Sequence, residues 1–198
     1  EAIAGLIDDY SFHEMMGLKV VGTTSDMEEL FDKNVANQVF IAIGDNNARM
    51  RITKMALEIG FNLVNAISSF SCISPWAQLG VGTAVMPGAV VNAGAKIGNG
   101  VIINTGATID HDCELGDFVH AAPGVSAAGN VVVGEGAFLG AGAKIIPKIN
   151  IGKWSTIGAG AVVIRNVKEN DKVVGNPAKS LHKRSSMRVQ NQCDHTII

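Results

Sequence analysis

A chain of 198 residues, 47% of them hydrophobic and 17% charged, can bury a core large enough for one big domain or two small ones. A formal net charge of −2 with acids and bases intermixed gives no electrostatic footprint for nucleic acid, and no run reaches the ~18 apolar residues of a membrane span. Nothing at the start resembles a secretion signal, and Cys72, Cys113 and Cys193 lie far apart without a CxxC pair, so a reducing, cytoplasmic setting is expected.

The chain starts at Glu1, and its first element is an apolar run from Ile3 to Ile7 closed by Asp8 and Asp9, a strand entered partway through a domain. Lys19 to Gly22 reads as a strand end, and Ser25 followed by Glu28 and Glu29 as the cap and first turn of a short helix. Val39 to Ile43, the turn Gly44-Asp45-Asn46-Asn47, the amphipathic stretch Ala48 to Ile59 and a stop at Gly60 predict a strand, loop and helix of an α/β unit. Phe61 to Ile67 supplies a further strand. In such units ligands sit beyond the carboxyl ends of parallel strands, which makes Asp8, Asp9, Gly44 and Asn46 candidate acceptor-binding residues, with acids suited to ribose hydroxyls or a uracil edge. A local account competes: Asp8 and Asp9 shape a turn, and Asn46 or Asn47 caps the helix.

From Ile73 to Val163 an aliphatic residue or alanine recurs at every sixth position, sixteen times without a slip. Four residues after most of them stands a small or β-branched residue, such as Ala77, Thr83, Ala89 or Cys113, and glycine often follows directly. Dense glycine and a period of six exclude helices. Short strands wound into a three-sided coil of eighteen residues remain, giving a little over five rungs stacked at about 4.8 Å. The division expected is a partial α/β domain over 1–68, a β-helix over 69–167, and a C-terminal cap and flexible tail over 168–198. His182 and His195 in that tail are expected to be exposed.

His111 lies in a turn between Asp110 and Asp112. An imidazole accepts a proton near neutral pH, and either acid can hold its ring; a surface histidine paired with acids is the competing account. Counting by eighteen puts Gly129 one rung beyond His111, about 5 Å away, where a backbone N–H can stabilise a thioester oxyanion. His120 lies half a coil from His111 and points elsewhere within one subunit.

Unbroken hexads resemble the hexapeptide-repeat acyltransferases with a left-handed parallel β-helix. The segments Ile3 to Asp9, Ala42 to Asn46, Ile103-Asn104-Thr105, Ile109 to Cys113, Gly129-Asn130-Val131 and Val174 to Ala178 further resemble the branch containing bacillosamine and perosamine N-acetyltransferases and sialic acid O-acetyltransferases. The resemblance implies a homotrimer with sites between subunits, acetyl-CoA as acyl donor, no metal, and an amino sugar carried on a nucleotide as acceptor. It selects Asp112 as the partner of His111, although the family more often has glutamate there. It also implies donor-side roles for Asn104, His120, Gly129, Ala141 and Ala159, the last two in stacked Gly-Ala-Gly turns, with Asn176 to Lys179 toward the adenine. A glycine-rich loop ahead of Glu1 is implied as well, so this chain is expected to bind its acceptor weakly. Rival readings are O-acetylation, a γ-carbonic-anhydrase-like zinc protein, which needs three converging histidines, and a non-catalytic trimeric scaffold.

Overall fold

The structure, a computed structural model of the chain, describes residues 3–10 and 13–181. His182, His195, Cys193 and the tail expected to fray lie outside the described residues.

The N-terminal unit is built from two separate parallel pairs. Strand β1 (Leu6–Ile7) runs beside β2 (Val20–Gly22), and β3 (Gln38–Val39) beside β4 (Asn62–Leu63). A 3-10 turn over Thr24–Asp26 leads into α1 (Met27–Asp32). Asp26, not Ser25, organises this start: its carboxylate accepts from both the backbone and the hydroxyl of Thr23, which holds its pKa below the usual range. Helix α2 (Asn46–Ile59) begins at Asp45, whose side chain accepts from Ala48 N–H, and ends at Gly60 in the left-handed region at φ 115°. The cap is thus the aspartate ahead of the two asparagines expected to provide it. Met27, Ile41, Ile52, Ala56 and Phe61 close a small core, in which Phe31 meets Phe61 edge-on at 5.0 Å.

Strands β5 (Ala66–Ile67) to β21 (Val162–Val163) each start six residues after the one before. They form the three faces of a prism, and every pair in it is parallel with partners eighteen residues apart, as in Lys96↔Glu114, Ile102↔His120 and Thr108↔Ser126. The coil therefore takes in one hexad more than the sequence pattern, since Ala66–Ile67 already pairs with Ala84–Val85. At the far end Lys172–Val174 adds to one face and is closed by an antiparallel Lys179–Ser180.

The aliphatic column fills the prism. Val85, Val91, Ile103, Ile109, Leu139 and Ile157 are at most 1% exposed, and the small residues of the second column, Ala89, Ala95, Ala107, Cys113 and Ala137, are fully buried. Alternating large and small inward residues let three flat faces meet without voids.

Candidate active site

His111 sits in the turn after strand Thr108–Ile109. Asp110 accepts from the His111 backbone N–H at 2.8 Å and from the Asn92 amide at 2.9 Å, bonds that lower its pKa. It shapes the turn. Asp112 takes the ring instead: His111 Nδ1 lies 2.9 Å from Asp112 Oδ2. That bond is the main reason the histidine pKa is raised, with the charges of Asp110 and Asp112 adding to it against partial desolvation. Both side chains are more than half exposed. With Nδ1 occupied, Nε2 is the atom left to accept a substrate proton.

Glycine frames this pair on both sides. A Cβ on Gly129, one coil later, would lie 2.5 Å from His111 Nε2, and a Cβ on Gly94, one coil earlier, 2.3 Å from Asp112 Oδ1. Gly129 lacks the positive φ that its neighbour Asn130 adopts at 60°, so no left-handed turn requires a glycine here; its missing side chain makes room for the imidazole. Gly129 is itself buried. Ala128 and Asn130 donate their N–H groups along the coil, to Ile145 and His111, while the Gly129 N–H has no partner among the described residues.

Ala141 and Ala159 repeat this arrangement. The flanking Gly140, Gly142, Gly158 and Gly160 all donate, Gly160 to the carbonyl of Ala141 at 2.8 Å, and the alanine N–H groups have no partner among the described residues. Both alanines are exposed. Beyond them the segment expected to meet an adenine turns through a cis Asn176-Pro177 bond, and Ala178 N–H donates to Val162.

His120 lies on a different face from His111, in the strand paired with Ile102–Ile103 and Phe138–Leu139. Its Nε2 is 3.3 Å from the Asn104 amide nitrogen and its Nδ1 is 3.2 Å from the Gly44 carbonyl. Phe138 packs edge-on against it at 5.2 Å. Burial pushes its pKa down, only partly offset by the Gly44 bond, and the Arg49 charge acts in the same direction as burial. Asn104 and His120 are thus brought together within one chain. The Asn104 carbonyl oxygen serves its own turn, accepting from Thr105 N–H at 2.8 Å.

The candidate acceptor residues divide. Asp9 accepts from the backbone and hydroxyl of Thr24 at 2.7 and 2.9 Å, and Asp8 from Tyr10 N–H at 2.8 Å, so both carboxylates do take part in the turn that the local account describes. The expected strand Val39 to Ile43 is confined to Gln38–Val39, so Gly44 is exposed at a bend beyond it, whereas Asn46 is 8% exposed and faces the prism. Its amide donates to the carbonyls of Gly136 and Ala137, and its oxygen accepts from Arg49. Its side chain therefore joins the two units and has no free edge for a ligand. Arg49, a charged residue within the stretch expected to form an amphipathic helix, is 2% exposed; no local signal marks it. Among the described residues no group of three or more His, Cys, Asp or Glu lies together as a metal site, and no helix is long and apolar enough to cross a membrane.

Comparison with known proteins places this geometry. Residues 1–56 match the PglD N-terminal domain and residues 130–165 the bacterial transferase hexapeptide (six repeats). Among curated proteins none matches the chain. Among solved structures, a histidine mutant of perosamine N-acetyltransferase from Caulobacter crescentus in complex with CoA and GDP-perosamine is 41% identical. It superposes with a TM-score of 0.88 over 90% of this chain and 85% of that one. The acetyltransferase domain of PglB from Neisseria gonorrhoeae, in complex with acetyl coenzyme A, is 38% identical with a TM-score of 0.85, over 89% and 85% of the two chains. WeeI from Acinetobacter baumannii is 28% identical with a TM-score of 0.79, over 89% and 85%. With an α/β unit of the PglD type ahead of a left-handed β-helix, the chain belongs to the hexapeptide-repeat acyltransferase family of perosamine N-acetyltransferase and the PglB acetyltransferase domain.

Proposed function

We propose that this chain transfers an acetyl group from acetyl-CoA to the amine of an amino sugar carried on a nucleotide. The observation that carries the reading is the set formed by Asp112, His111 and Gly129: a ring held at Nδ1 by a carboxylate, its Nε2 directly over a glycine whose N–H is unspent. The amine attacks the thioester carbonyl carbon, and a C–N bond forms as the π pair of the C=O bond moves to oxygen to give C–O⁻. His111 Nε2 takes the proton that the nitrogen must lose, and Asp112 stabilises the resulting imidazolium. The Gly129 N–H donates to the oxyanion. Collapse breaks the C–S bond, and the proton on His111 passes to the departing thiolate, leaving amide and CoA.

Donor-side roles fall to Asn104 and His120 near the acyl group and to the free N–H groups of Ala141 and Ala159 along the pantetheine. On the acceptor side, Asp8, Asp9 and the exposed Gly44 lie in the unit of the PglD type, and Asn46 acts by anchoring that loop. The relatives crystallised with CoA and with GDP-perosamine support both ligand classes. Exposed apolar residues on the prism exterior, Val132, Phe138, Ile146 and Ile164, support a homotrimer that closes the open site between neighbouring subunits. The setting we propose is the cytoplasm.

The test is CoA release from acetyl-CoA with GDP-, UDP- and dTDP-linked amino sugars. Turnover with one of them, lost at least ~10²-fold in His111→Ala while circular dichroism is unchanged, is the expected result. Full activity in that variant removes the mechanism.

A further inference from the structure

Arg49 stands outside the chemistry just described, yet it is a buried cation with no carboxylate among its hydrogen-bond partners. Its Nε donates to Gly100 O at 2.7 Å and its Nη1 to Ile43 O and Gly44 O at 2.9 and 3.2 Å. Its Nη2 donates to Asn46 Oδ1 and Phe118 O, both at 2.8 Å. Burial lowers its pKa to about 10, countered in part by Asp45, so the guanidinium stays charged at neutral pH. Burying a cation is costly, and an apolar side chain commonly fills such a place at no loss of stability. What an apolar side chain cannot supply is a planar fork that sets several carbonyls at once.

One of those carbonyls matters beyond the helix. Gly44 O accepts from Arg49 and also faces Nδ1 of His120. A carbonyl only accepts, so Nδ1 must carry the proton. On the other side of the ring, Asn104 Oδ1 is engaged by Thr105 N–H, which turns the Asn104 amide nitrogen toward Nε2. An amide nitrogen only donates, so Nε2 presents its lone pair. The two neighbours agree on one tautomer, and Phe138 holds the ring plane.

We propose that Arg49 is a positioning residue that acts through the Gly44 carbonyl, fixing His120 as the Nδ1–H tautomer and tying the loop at residues 43–46 to the prism histidine as one unit. The kinetic consequence rests on the placement of His120 in the proposed site; the tautomer does not. Breaking the fork frees the carbonyl, and His120 then samples the Nε2–H form, which has no acceptor at Asn104.

The experiment uses the full chain with selectively ¹⁵N-labelled histidine and long-range ¹H–¹⁵N correlation spectra at pH 8, His120→Asn serving for assignment. The wild-type ring should show a protonated Nδ1 and an unprotonated Nε2, and Arg49→Lys and Arg49→Gln should mix the two forms. In the CoA-release assay each should lose about tenfold in kcat, the scale of one ordinary hydrogen bond, with no further loss when combined with His120→Asn. A wild-type His120 protonated at Nε2, an unchanged tautomer in both variants, or losses that multiply in the double variant overturn the proposal. Failure of both variants to fold overturns it too, by making Arg49 a residue of the fold alone. The spectra need no substrate, so a wrong tautomer refutes this inference and leaves the acetyltransferase reading standing, whereas the predicted tautomer without turnover does the reverse.

Discussion

Replacing Gly129 with alanine tests whether the glycine is there for space. The added Cβ would lie 2.5 Å from His111 Nε2, against ~3.5 Å for an ordinary contact, so the imidazole must retreat by about 1 Å. The ring is at the end of an exposed side chain and the backbone at Gly129 is not left-handed. The thermodynamic cost is therefore only that of an off-rotamer histidine, about 0.5–1.5 kcal/mol. Catalysis is less tolerant: a shift of about 1 Å in a reacting group costs on the order of 10²-fold, or about 2.7 kcal/mol on the barrier. Gly88→Ala is the control. Gly88 has a φ of 71°, and a Cβ there would make only ordinary contacts, at 3.8 Å to the Gly106 backbone, so alanine costs about 1–2 kcal/mol of stability and leaves turnover intact. Thermal unfolding and CoA release measured on both variants give a crossed pattern if the reasoning holds. Gly129→Ala within threefold of wild-type kcat, or inactive only in proportion to its loss of fold, would refute it.

Further expectations concern neighbouring groups. Asp112 raises the proton affinity of His111, and the base works only when neutral, so activity rises with pH through the His111 titration. In Asp112→Asn the acidic limb of the kcat profile should move to lower pH while the plateau drops about tenfold or more as the ring loses its holder; a limb that stays put or moves up contradicts the pairing. Asn46→Ala strands the carbonyl of Gly136 and one Arg49 donor, while the Ala137 carbonyl keeps the N–H of His120, at a cost of about 1–3 kcal/mol. Hydrogen exchange should show that loss at the junction of the two units and not in the middle of the prism. Leu139→Ala should cost about 2–5 kcal/mol in urea unfolding, since Leu139 is fully buried in the aliphatic column. Cys113, whose thiol donates to Ala128 O and is pushed up in pKa by burial, should resist alkylation in the folded protein while the exposed Cys72 reacts.

The hexad column was legible because the inward positions repeat the same demand, an aliphatic residue removed from water, fully so except at the first rung with Ile73 and Leu79, and a strict period survives any single exception such as Ala121 or Ala127. The same period located Gly129 beside His111, since the strands from Ala66 to Val163 pair with one another eighteen residues apart. It did not reveal why Gly129 is a glycine; that required the ring's position. The N-terminal unit was harder to read. Its strands are only two or three residues long, too short for a period, and Asn46 and Arg49 look like helix cap and solvent-facing charge. Both turn inward because the helix docks on turns far along the chain, at Gly100, Phe118 and Gly136, and no local pattern encodes such a partner.

The framing of His111 and Asp112 by Gly129 and Gly94 ties four positions into one heritable unit. A lineage that keeps the histidine and aspartate cannot let either glycine drift, because a single methyl group at each invades the space of an atom of the His111–Asp112 pair. A lineage that has lost the histidine is released from that constraint at Gly129 while keeping every demand of the prism core. Side chains at the position of Gly129 are therefore expected mainly in relatives that lack the histidine, and a relative carrying both a side chain there and the histidine in this pose would contradict the steric account.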